Sequence, residues 1–201
     1  MAKIAVDVVL LPPKQLMDEA IEANRELLKQ YPDKIILDKE SCLPHISLAM
    51  GCIEKTDTAG IKNILQSIGV NHAPVPLCIE GIQTDKNAKN EEVSVLQLKK
   101  TKQLQSLHEL VMRELAPYFS YDVSIDTVLS PPRAGESTLL WIRNYPEKSS
   151  FEKFSPHITL GYGHIESFSI HPTFTASKLA LCHLGNHCTC RKILFSTTLQ
   201  G

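Results

Sequence analysis

An excess of charge of either sign is missing from this 201-residue chain: 21 basic residues stand against 22 acidic ones, a formal net charge of −1. That excludes a generalised basic field for long nucleic acid, so any phosphate-bearing ligand must be held by a local site. Small molecules and short strands or chain ends suit such a site better than long duplexes. No apolar run approaches the length that crosses a bilayer. The N-terminal stretch Met1–Asp7 carries an acid within its apolar run and no convincing cleavage site, so it reads as a first strand and not as a signal peptide. A cytoplasmic protein without membrane association is expected, and its six cysteines read as free thiols and not as a disulfide framework. Low-complexity tracts and linkers are also lacking, which points to a single domain over 1–201. There is no Walker-type loop and no Gly-x-Ser-x-Gly elbow, and Gly161-Tyr162-Gly163 is too short for a dinucleotide fingerprint.

What is present is a mixture of strand and helix patterns. Residues 3–11 alternate and are rich in Ile, Val and Leu, and Pro12-Pro13 stop that strand and open a helix to about 30. Leu16, Ala20, Ala23 and Leu27 recur there at helical spacing. A strand is expected at 44–53, and a short helix capped by Asp57 or Thr58 and stopped by Gly69. Two strands at 75–84 and 91–99 flank a hairpin loop at 85–90, and Thr101 caps a helix to about 117. The rest reads as strand: 121–129, 138–143, 156–162, 174–184 and 188–199, with Leu184–His187 as a tight turn. No steady βαβ rhythm runs through this order, which favours an α+β fold with antiparallel sheets.

One short motif occurs twice. Residues 44–48 are Pro44-His45-Ile46-Ser47-Leu48, and residues 156–160 are Pro156-His157-Ile158-Thr159-Leu160. Successive strand side chains point to opposite faces, so each motif puts an imidazole and a hydroxyl side by side while Ile and Leu anchor the other face. In-line displacement at phosphorus needs proton exchange at an entering and a leaving oxygen on opposite sides. Two imidazoles suit both tasks, because their ordinary pKa, about 6.5, lies near working pH. Ser47 and Thr159 can donate to the non-bridging oxygens, and the scheme needs neither metal nor other cofactor.

The motif pair resembles the two-histidine phosphoesterase superfamily, particularly its branch of LigT-like RNA 2′,3′-cyclic phosphodiesterases, also called 2′-5′ RNA ligases. Both His-hydrophobic-Ser/Thr-hydrophobic motifs of that signature are complete here. The N-terminal strand followed by Pro and a helix, Phe154 before the second motif, and a closing strand pair extend the likeness. The resemblance implies a bilobal module with pseudo-twofold symmetry, two antiparallel sheets, helices outside and a central cleft. It implies catalysis by His45 and His157, with phosphate held by Ser47 and Thr159. For opening a cyclic phosphate it implies His45 as acid and His157 as base. The expected activity is hydrolysis of 2′,3′-cyclic phosphates on RNA ends or small nucleotides to 2′-phosphomonoesters, by a monomer. Ligation through a 2′-5′ bond, another phosphodiester substrate at the same site, and a non-catalytic nucleotide- or RNA-binding module are the alternatives.

Other residues invite weaker readings. Tyr145, Phe151 and Phe154 in an expected loop at 144–155, with Trp141 and Tyr162 nearby, could stack a base. Arg133 and Arg143 read as surface arginines. His183 facing Cys188 across the last turn, with Cys190 on the same face, suggests a metal cluster, but the spacing fits no common zinc ribbon or finger and no metal site is assigned. His108 lies on the buried stripe of its helix and reads as a packing residue.

Overall fold

In the computed structural model, which describes residues 2–87 and 89–201, strand β1 (Lys3–Leu11) is buried along its whole length after Lys3. It is paired on both sides, which is why its apolar residues run on almost without polar interruption. Met1 and Ala88, the latter in the expected hairpin loop, lie outside the described residues. Pro12 and Pro13 end the strand, and Pro13, with no amide hydrogen to satisfy, stands at the N-cap of α1 (Lys14–Leu28). There follow β2 (Ile46–Glu54), α2 (Thr58–Asn71), β3 (Val75–Lys86), β4 (Glu92–Leu98) and α3 (Lys102–Leu115). The chain closes with α4 (Glu136–Lys148), β5 (His157–Tyr162), β6 (Thr173–Ala176), β7 (Lys178–Leu184) and β8 (Cys190–Thr198).

The described strands form two four-stranded sheets, β2-β1-β7-β8 and β5-β4-β3-β6, with every pairing antiparallel. The α+β expectation holds. The two sheets repeat one plan: a strand, a helix, then a motif strand paired to the first and placed at the sheet edge. The helices pack across the repeat, α1 on β5 and α3 on β2, while α4 also lies on β2 and α2 covers β7 and β8.

Several expected elements differ. Residues 138–143 lie in α4, because Thr138, Ile142 and Tyr145 are buried at spacings of four and three, a helical stripe inside a β-rich composition. Residues 121–129 alternate but find no partner strand among the described residues; they run through a short 3-10 turn at Ile125–Thr127, between the bridge of Ser120 to Cys52 and the bond of Leu129 N to Leu184 O. The stretch 174–184 breaks at Ser177 into β6 and β7, which belong to different sheets. Gly69 lies inside α2, which runs on to Asn71. A Cβ there would meet the Thr197 side chain at 2.7 Å, so Gly69 lets the helix sit close on β8. The tight turn at 184–187 is a 3-10 turn with His187 and Cys188 at positive φ.

The cysteines are not all free. Cys182 and Cys190, on the adjacent strands β7 and β8 with Cα atoms 5.6 Å apart, form a disulfide, leaving Cys42, Cys52, Cys78 and Cys188 as thiols. Two bulges in the β7–β8 ladder bring these cysteines together, a register that residue spacing does not reveal. No helix among the described residues is long and apolar enough to cross a membrane.

Candidate active site

The two motifs occupy matching places on the two sheet edges. In each, the Pro, Ile and Leu are buried and the His and hydroxyl residue half-buried, the alternation a one-sided strand demands. The edge strands β2 and β5 approach to within 8 Å between Cα atoms, which brings both faces to one cleft. Each ring is fixed the same way. His45 Nδ1–H donates to Leu43 O at 2.7 Å, and His157 Nδ1–H donates to Ser155 O at 2.9 Å, in both cases the carbonyl two residues upstream. A carbonyl can only accept, so the proton of each neutral ring is on Nδ1 and both Nε2 lone pairs are left for chemistry. Burial pushes His45 down to about 4; the Leu43 carbonyl opposes this and the neighbouring His157 ring adds to it. Burial lowers His157 as well, against its bond to Ser155.

Ser47 does not stand alone. Its Oγ is 2.6 Å from Oδ2 of Asp7 on β1, and the same Oδ2 is 4.0 Å from His45 Nε2. Asp7 is fully buried, and burial pushes its carboxyl up to about 8 despite the Ser47 hydroxyl and the Ala49 amide nearby. Its Oδ1 has no hydrogen-bond partner among the described residues, nor does the Tyr145 hydroxyl, whose proton burial retains. An acid inside an otherwise apolar central strand was a legible signal of a buried functional group, but one strand in isolation does not say that it stands behind Ser47.

A second pair of polar residues holds the motif strands. Leu48 is the extra residue of a bulge between β1 and β2, where Val8 pairs with Ala49 and Val9 with Ser47. Leu160, at the same motif position, is the extra residue between β4 and β5. Bulges bend a strand and re-aim its side chains. Both bulge carbonyls accept from buried side chains of the helices that cross over. His108 Nδ1–H on α3 donates to Leu48 O at 2.6 Å, and its Nε2 accepts from Phe151 N at 2.7 Å. Asn24 on α1 donates to Leu160 O at 2.7 Å and to Ile35 O at 2.9 Å, and accepts from Leu37 N. Each clamp thus ties one motif strand to the segment that leads into the other. His108 is packed, as its helix stripe implied, and also stacks on Phe154 with centroids 4.0 Å apart.

The remaining candidates separate by burial. Phe154, Tyr162 and Tyr145 are buried, while Trp141, 52% exposed, and Phe151 face solvent, as do Arg133 and Arg143. The expected loop at 144–155 is the last part of α4 and a 3-10 turn. The proposed Cys/His cluster does not assemble: Cys190 bonds Cys182, His183 pairs with Lys192 in register, and His183 Nε2 reaches the Thr127 carbonyl. No group of three potential metal ligands stands together among the described residues.

A family model described as the 2′-5′ RNA ligase superfamily matches residues 12–168, a span that contains both motifs. The fold is similar to that of TT0787 from Thermus thermophilus, at 15% identity and a TM-score of 0.60, covering 98% of this chain and 99% of that one. It is also similar to apo LigT from E. coli, at 11% identity and 0.58 over the whole of both chains. LigT complexed with 3′-AMP matches at 13% identity and 0.54, covering 99% of each. A search by sequence among curated proteins finds no match. With the family model spanning most of the chain, this protein belongs to the 2′-5′ RNA ligase superfamily of two-histidine phosphoesterases.

Proposed function

We propose that the cleft hydrolyses 2′,3′-cyclic phosphates, on RNA ends or small nucleotides, to 2′-phosphomonoesters. The observation that carries this reading is the matched Nδ1 anchoring of His45 and His157, which leaves two Nε2 atoms for proton exchange. An anionic phosphodiester between the rings favours one imidazolium, reversing the effect of burial. His45 in that form protonates O3′ as the P–O3′ bond breaks, and His157 takes the proton from the water whose oxygen forms the new P–O bond. Half-buried Thr159 and Ser47 donate to the non-bridging oxygens. The solved complex of LigT with 3′-AMP supports a nucleotide as the ligand class.

The test is turnover of 2′,3′-cyclic AMP and of a short RNA ending in a 2′,3′-cyclic phosphate, with EDTA present. His45→Ala and His157→Ala are each expected to lower kcat/KM by about 10²–10⁴-fold, the usual worth of positioned acid–base groups. Full turnover by either variant refutes the paired mechanism. A 2′-5′-joined product in place of the 2′-phosphate would assign ligation to the same site.

A further inference from the structure

We infer that Asp7 is a positioning residue for the first motif: its neutral carboxyl donates to Ser47 Oγ, which turns the Ser47 hydrogen outward to the phosphate, and ionisation reverses that bond. The inference rests on the phosphoesterase reading and adds a group outside both motifs. A carboxyl group and a hydroxyl 2.6 Å apart share one hydrogen bond: an ionised acid can only accept it, and a neutral acid with its proton on Oδ2 donates it. An ionised Asp7 accepts the Ser47 hydrogen, leaving no donor for the substrate on that side. It also places a full negative charge behind a phosphate that already carries one. A neutral Asp7 has neither effect.

The surroundings favour the neutral form at rest. The groups facing Asp7 are Ser47 and His45 from the first motif, Tyr145 from α4 and Cys188 from the turn before β8, with disulfide-bonded Cys182 beside it on β7. Burial keeps the Tyr145 hydroxyl and the Cys188 thiol protonated, and among the described residues His45 is the one group at ion-pair distance, itself held neutral by burial. The Ser47 hydroxyl and the Ala49 amide favour a carboxylate, but desolvation outweighs both and raises Asp7. Oδ1, an acceptor once Oδ2 carries the proton, and the Tyr145 hydroxyl have no hydrogen-bond partner among the described residues.

Three measurements on the full chain test this. Titration of the Asp7 carboxyl by 13C NMR is expected to show protonation near pH 8, with the signal absent from Asp7→Asn; protonation in the ordinary carboxylate range overturns the inference whether or not the enzyme turns over cyclic phosphate. In kcat/KM against pH, wild type is expected to lose about tenfold per unit above pH 8. Asp7→Ala falls at all pH values, and Asp7→Asn, which can donate but not ionise, recovers most of the neutral-pH rate without that alkaline loss. Identical profiles for wild type and Asp7→Asn refute the positioning role while leaving the histidine mechanism standing. If wild type shows no turnover, the phosphoesterase reading fails, and 2′-AMP affinity decides for Asp7. A fall in affinity above pH 8 in wild type but not in Asp7→Asn supports it, and parallel affinities refute it.

Discussion

Replacing Asp7 by asparagine removes a titration that the fold now opposes, and the consequence for stability can be worked through. In the unfolded chain Asp7 ionises above its ordinary value of 3.8, whereas in the folded protein it keeps its proton to about 8. Between those values the unfolded state releases a proton that the native state retains. Stability therefore falls as pH rises, by about 1.4 kcal/mol per unit. From 3.8 to pH 7 this amounts to about 4 kcal/mol, a large share of the 5–15 kcal/mol that holds a domain together. Below 3.8 the effect is absent, and above about 8 it is complete and constant. Asparagine keeps the shape and a donor for Ser47 without the titration, although its unpaired amide hydrogen costs about 1–3 kcal/mol. The pH dependence of the difference is therefore the test, not its value at one pH. Urea unfolding of both proteins at half-unit steps from pH 4 to 9 should show wild type losing stability relative to Asp7→Asn steadily up to pH 8, after which the curves run parallel. Curves parallel from pH 4.5 upward would mean that Asp7 ionises normally and that the buried acid has been misread.

Other perturbations follow from the same geometry. His108→Phe keeps the stack on Phe154 but leaves Leu48 O and Phe151 N unpaired; a loss of about 2–4 kcal/mol is expected by denaturant titration. Asn24→Ala removes the equivalent clamp on β5 at a similar cost, and in turnover assays both variants are expected to lower kcat more than they raise KM, because they loosen a motif strand and not a binding contact. Gly161→Ala would put a methyl 2.8 Å from Asn24 Nδ2 at a residue with φ of +150°, and a fall in Tm with a greater loss than in Asn24→Ala is expected. An unchanged Tm would show that α1 does not need that close approach.

The chemistry of the cleft was legible in the sequence because it depends on residue identity and on a period of two. A strand alternates its faces wherever it lies, so Pro-His-Ile-Ser-Leu and Pro-His-Ile-Thr-Leu declare a half-exposed imidazole and hydroxyl before any partner strand is known. The buried stripes of α1 and α3, and β1 as an apolar strand, follow from equally local patterns. What the sequence left open depends on which segments meet. Residues 138–143 have strand composition and became helix because Thr138, Ile142 and Tyr145 find a sheet to cover. Residues 121–129 have strand pattern but form no ladder, following the single bridge of Ser120 to the β2 edge at Cys52. Cys182 and Cys190 became a bond only through the bulged register of β7 and β8. Asn24 and His108 are ordinary letters in their own elements, and Asp7 stands out only as an acid in an apolar strand. Tertiary structure alone decided that the acid stands behind Ser47 and that the two polar side chains fasten the bulges, since the groups they touch lie 40, 136 and 60 residues away in sequence.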